Sequence, residues 1–153
     1  MGVLYDYFRA PSVADVCRHM SERDASSPVP EVFDGFELKG IDPSVTLGML
    51  IAFSADQEWS VGLVNERVIW PEGRDQDTEY GGPWASVLND RVRDVLADIP
   101  ADRVSALAER WAAIEEFSGR GDVVLLRELM ADFTTLAVHA REHGESLYCW
   151  SCL

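Results

Sequence analysis

The stretch "HAREHGESLYCWSCL", His139 to Leu153, decides how the chain is read. It holds two of the three histidines and two of the three cysteines. It is either the end of a helix followed by a strand, or a ligand cluster. Gly144 favours the first reading, since glycine supplies the left-handed residue that commonly closes a helix. "SLYCWS" then has the aromatic content of a strand. Upstream, Leu126, Leu129, Met130, Phe133, Leu136, Ala137 and Ala140 recur at helical spacing and share one face. The pattern predicts a helix from near Asp122 to His143, with Gly144 just past its end.

The competing reading is zinc. His139, His143, Cys149 and Cys152 are four ligands of the types zinc takes. The five residues between the pairs include the helix stop, so the strand would have to double back for Cys149 to reach His143. Alternation also sends residues 149 and 152 to opposite faces of a strand. A redox Cys-x-x-Cys needs a depressed thiol pKa, usually from a following helix N-terminus or a nearby cation. Neither is available beside Cys152 in an acidic chain. The expectation is therefore structural: Cys149 a buried small residue, Cys152 a frayed end, the two histidines solvated. No cofactor is expected.

Working outward, "VLYDYFR" at residues 3–9 reads as a strand. Ser12 is a candidate cap for a helix bearing Val13, Val16, Cys17 and Met20, with His19 off that stripe. "DASSPVPEVFDGFE" reads as loop. Asp42 and Pro43 predict the start of an apolar central helix containing Val45, Leu47, Leu50, Ile51 and Phe53. "EWSVGLVNERVIWPEG" is either a hairpin or a short strand after a turn, and "RDQDTEYGGPW" an acidic loop. Asn89 caps a third helix running through Leu96. Val104, Leu107, Ala108, Trp111 and Ile114 mark a fourth. No repeat is present. The order predicts one α+β domain over residues 1–153, mostly helical, with a small sheet that includes both the N-terminal and the C-terminal strand.

Thirteen basic against twenty-seven acidic residues give a net charge of −14, which disfavours nucleic-acid binding through a basic face. No apolar run is long enough for a membrane span. The start lacks a secretory pattern, and position 6 and the C-terminus exclude myristoylation and prenylation motifs. With an odd cysteine count, these point to a reducing cytoplasm.

Two further patterns merit weight. Asp75, Asp77 and Glu79 alternate like the start of a calcium loop, but the required Gly and Glu are replaced by Tyr80 and Ser86. Trp59, Trp70 and Trp84 lie close in sequence. Together with Tyr80 and the acids Asp75, Asp77 and Glu79 they are candidates for a groove that takes a cationic group. Phosphate loops, nucleophile elbows and His-Glu-x-x-His are all missing.

Four stretches, "MGVLYDYF", "LKGIDPSVTLGMLIAF", "YGGPWASVLNDRVRDVLADI" and "LMADFTTLAVHAREHGESLYCW", resemble the YfbM-like family of small bacterial proteins. In that family the second stretch usually carries Asp-Lys-x-Trp, where this chain has Asp42-Pro43-Ser44-Val45. The resemblance implies an α+β fold with both chain ends in one sheet; it transfers no active site. The expected function is a non-enzymatic interaction or regulatory domain that binds a basic protein partner through acidic and aromatic surface. The alternatives are a small-molecule binder or enzyme near Trp84, and a zinc or thiol protein built on the tail.

Overall fold

The computed structural model describes residues 2–74 and 77–153. Strand β1 (Leu4–Ala10) runs into α1 (Val13–Glu22), and a long excursion leads to the two-residue β2 (Gly35–Phe36). A wide turn at Pro43–Leu47 feeds α2 (Gly48–Ser54). Strands β3 (Arg67–Trp70) and β4 (Trp84–Val87) precede α3 (Asp90–Ala97), α4 (Val104–Ala112) and α5 (Val123–Glu142). Strand β5 (Ser146–Cys152) follows.

The described strands make one antiparallel sheet in the order β2-β1-β5-β4-β3. Its centre is the β1–β5 pair, in register from Leu4 opposite Cys152 to Ala10 opposite Ser146. Alternation sorts the two faces. Tyr7, Leu147 and Cys149 join the core formed with α2 to α5. Phe8, Tyr148 and Trp150 join a second core under α1. The fold is α+β, with a helical layer on one face and α1 with its loop on the other.

Polar groups in these cores are satisfied as they must be. Tyr7 Oη donates to Ile41 O at 2.7 Å, Trp111 Nε1 to Thr46 O at 2.8 Å, and Trp150 Nε1 to Ala25 O at 2.9 Å. Phe133 meets Tyr7 and Phe36 edge-on, with centroids 4.9 and 5.0 Å away. Phe8 stacks between Phe33 and Tyr148 on the other face. Gly35 lies so close to β1 that a Cβ there would sit 2.1 Å from Tyr7 O.

The helix starts follow the caps. Ser12 Oγ accepts from Asp15 N–H, Asn89 from Arg91 N–H and Asp122 from Leu125 N–H. Asp42 accepts from both Val45 and Thr46 N–H. Its own carbonyl takes Leu47 N–H, a five-residue span that widens this first turn. Gly144 closes α5 at φ 65°.

Several expectations need correction. The loop after α1 contains β2, which β1 orders by pairing. The "acidic loop" ends in β4, whose Trp-Ala-Ser-Val shows no strong alternation. Of the two readings of "EWSVGLVNERVIWPEG", the short strand after a turn is the one present, as β3. The fourth helix stops at Ala112 and continues as a tight turn at Glu115–Phe117. His19 is buried, its Nε2 2.9 Å from Ser26 O and its ring near Phe33. Position 19 flanks Met20 on the inner face, and the following loop folds over it. Cys152 is no frayed end; it pairs opposite Leu4.

Phe133 joins α5 to the sheet. Phe133→Ala is expected to destabilise the fold by about 3–5 kcal/mol, seen as a lower urea midpoint at unchanged slope. A loss under about 1 kcal/mol would mean that the ring is not the contact joining these layers.

Candidate functional site

The N-terminal half of α5 carries more apolar residues than one helix face needs. Leu126, Leu129, Met130 and Phe133 are buried, but Val124 and Leu125 are each 59% exposed. Beside them, residues 37–41 run along the outer edge of β1, held by Tyr5 N–H to Leu38 O and Gly40 N–H to Val3 O, both 3.0 Å. Between these elements lies a groove of about 840 Å³. Its walls include Leu4, Leu38, Ile41, Phe117, Leu125, Leu129 and Trp150. Five carboxylates line it as well, Asp6, Glu37, Asp122, Glu128 and Asp132, against one ammonium, Lys39.

Asp6 is the unusual member. It sits mid-strand in β1 and is only 4% exposed. Ser27 Oγ donates to it at 2.6 Å and Leu38 N–H at 3.4 Å. Among the described residues no Arg, Lys or His lies within ion-pair distance of it. Burial pushes its pKa above the ordinary carboxylate value, and the charge of Glu37 pushes the same way; the two hydrogen bonds oppose them. Lys39 does not neutralise it, since its aliphatic stem lies over Gly2.

Chemically the groove offers an apolar floor within an anionic rim. Each rim ion pair with a ligand is worth about 0–1 kcal/mol. Each 100 Å² of apolar surface covered contributes about 2.5 kcal/mol. Affinity would therefore come from the floor, and selection for positive charge from the rim.

The residues singled out from the sequence are placed differently. Trp59 Nε1 donates to Ser44 O, packing its ring beside Gly48. Trp70 packs on the α1 side and donates to Ser21 Oγ at 3.2 Å. The Trp84 ring covers Gly82. No aromatic pair joins these three tryptophans among the described residues. Asp75 lies outside the described residues. Asp77 accepts from Arg74 at 3.0 Å and from Glu79 N–H, and the same guanidinium lies 5.2 Å over the Tyr80 ring. Tyr80 Oη donates to Pro83 O. The loop thus supplies its own cation to the carboxylate and aromatic ring that were expected to bind one.

Nor does the tail assemble a centre. His139 Nδ1 lies 3.7 Å from Asp34, while His143 Nδ1 contacts His139 O at 2.7 Å. Cys149 belongs to the helix-side core and Cys152 to the α1 side, on opposite faces. Among the described residues no three His, Cys, Asp or Glu side chains converge as a metal site. Burial pushes the Cys149 thiol well up, and the Cys17 thiol up.

The groove was missed because it joins segments distant in sequence. Two signals pointed to it: an acid inside the apolar run "LYDYF", and the surplus Val124-Leu125 beside the inner stripe of α5. The chain matches no protein-family model, no curated protein and no solved structure with which it was compared. No described helix is long and apolar enough to cross a membrane.

Two predictions follow from these groups. Asp6 binds its proton more tightly in the folded chain than in the unfolded one, so its ionisation opposes folding. That penalty is missing below the unfolded value of 3.8 and is complete above the raised folded value. The stability of Asp6→Asn relative to the parent should therefore improve as pH rises from about 3 to about 7, measured by urea unfolding; a pH-independent difference would contradict it. In pulse labelling with a thiol reagent, Cys149 should react only at the rate of unfolding. Mass spectrometry showing modified Cys149 in native protein would contradict its burial.

Proposed function

We propose that the chain is a non-enzymatic, cytoplasmic interaction domain that holds a basic segment of a protein partner in the groove between α5 and residues 37–41. The observation that carries this reading is the groove's composition: apolar walls beside five carboxylates and a single lysine. The net charge of −14 extends the same sign over the molecule and would speed encounter with a positive partner. The exposure of Leu125 in the groove wall adds support, because exposed apolar side chains in a groove mark contact surfaces. The buried, proton-holding thiol of Cys149 suits packing rather than nucleophilic chemistry.

The test is site-directed photocrosslinking in cells of the native host, with the crosslinker at Leu125 and a control at Val61, which is 83% exposed. A partner captured at Leu125 and not at Val61 should be linked through a segment of net positive charge. That segment, made as a peptide, should bind the purified chain more weakly as salt rises. Glu128→Lys combined with Asp132→Lys should weaken binding about tenfold or more. A neutral or acidic crosslinked segment, or equal capture at both positions, would overturn the proposal.

A further inference from the structure

One carboxylate of the groove is both buried and without a counter-charge. Asp6 lies mid-strand in β1, opposite Trp150 and on the α1 side of the sheet. It lines the groove while only 4% exposed. Its two oxygens meet neutral donors. Ser27 Oγ donates to one at 2.6 Å while itself accepting from Val29 N–H at 3.3 Å. Leu38 N–H reaches the other at a longer 3.4 Å. An ionised carboxylate has about four acceptor positions, so capacity remains on both oxygens.

The groove's own lysine does not fill that gap. Lys39, the only lysine of the chain, bridges opposite Leu4 and so lies on the same side as Asp6. Its stem lies over Gly2, and among the described residues its ammonium is within ion-pair distance of no carboxylate. Glu37 is on this side as well, and both residues are exposed. Their opposite charges cancel at the mouth, and the charge left over is that of Asp6. The titratable groups around Asp6 are Glu37 and Lys39 from the edge segment, Cys149 from β5, and, across the groove, Asp122, Glu128 and Asp132 from α5. The only cation in that set is Lys39.

Resting on the interaction reading above, we infer that Asp6 anchors the partner's segment: one lysine of that segment seats its ammonium against this carboxylate, with its methylene stem along Leu4 and Trp150. Lysine suits the place better than arginine. A donor already sits on each oxygen of Asp6, which works against a guanidinium fork that needs both, whereas a compact ammonium needs one. A buried, unpaired carboxylate also gains more from a cation than exposed ones do, so Asp6 outweighs Glu128 and Asp132 in holding that lysine.

The probe is n-hexylammonium, with 1-hexanol as its uncharged match and n-hexylguanidinium as its forked one. The titration of Asp6 in the full chain is followed by carboxyl-carbon NMR. The ammonium should lower the pH at which Asp6 titrates by about one unit or more; the alcohol should leave it in place, and the guanidinium should move it less. By calorimetry the ammonium should bind about tenfold tighter than the alcohol. Asp6→Asn, a replacement of the same shape, should remove that difference. If the variant misfolds, the titration of the parent chain decides. Equal effects of ammonium and alcohol, or binding of neither, overturn Asp6 as the anchor and leave the basic-segment reading to the crosslinking at Leu125. A guanidinium as effective as the ammonium overturns the choice of lysine. If Lys39→Met raises the titration of Asp6 by as much as the ammonium lowers it, Lys39 is already the counter-ion and the inference is overturned. A segment captured at Leu125 that contains no lysine overturns the partner's lysine as the source, and an ammonium that still binds Asp6 then comes from a free amine.

Discussion

The structure depends on the pairing of β1 with β5. These strands occupy the middle of the sheet, so every layer is placed relative to them. Their register puts Tyr7 beside Cys149 on one face and Phe8 beside Tyr148 on the other. A slip of one residue would turn each of these side chains to the wrong core. The packing on both faces opposes that slip: Phe133 against Tyr7, and Phe33 with Tyr148 about Phe8. The central pair also accounts for the tail's sulfur. Cys149 is buried because position 149 faces the helices, and Cys152 is turned from it because three residues of strand reverse the face.

The polar contacts at one end of the pair hold several elements at once. Arg9 reaches both Asp34, at 2.9 Å, and Glu145, while Arg93 donates to Glu145 O at 2.8 Å. This joins β1, the approach to β2, the start of β5 and α3. Glu145 is mostly buried, so its charge needs that guanidinium more than an exposed pair would. In the middle of β1, Asp6 has no comparable cation among the described residues. The central pair therefore has a compensated carboxylate, Glu145, beside Arg9 and an uncompensated one beside the groove.

What the sequence made legible was local. Helix starts could be read at Ser12, Asp42, Asn89 and Asp122, because a cap is a short-range hydrogen bond between a side chain and its own next turn. The stop at Gly144 is likewise a property of one residue. The terminal strands were readable from their aromatic content. Elements that exist only through pairing were not. Gly35–Phe36 becomes a strand because β1 lies beside it, and Trp84–Val87 because β5 does. His19 was misjudged for a related reason: its burial comes from the loop at Ser26 and Phe33, not from its own helix. The groove was the least legible feature, since Asp6, Glu37 and Leu125 meet only after the sheet has closed. The three tryptophans near residue 70 were close in sequence, but Trp59 packs beside Gly48 while Trp70 and Trp84 lie on different strands.

The chain order of the central pair bears on how the protein is made. Ala10 and Ser146 are partners across 136 positions. During synthesis β1 leaves the ribosome long before the strand that completes it, with Tyr7 and Phe8 presenting apolar surface on both sides. The nascent chain must hold that surface without its partner until β5 has been made, the interval in which such strands are prone to misassociate. The acidic excess, most of it in the intervening loops, keeps waiting chains apart by mutual repulsion. The charge that shapes the finished groove thus also protects the polypeptide before the groove exists.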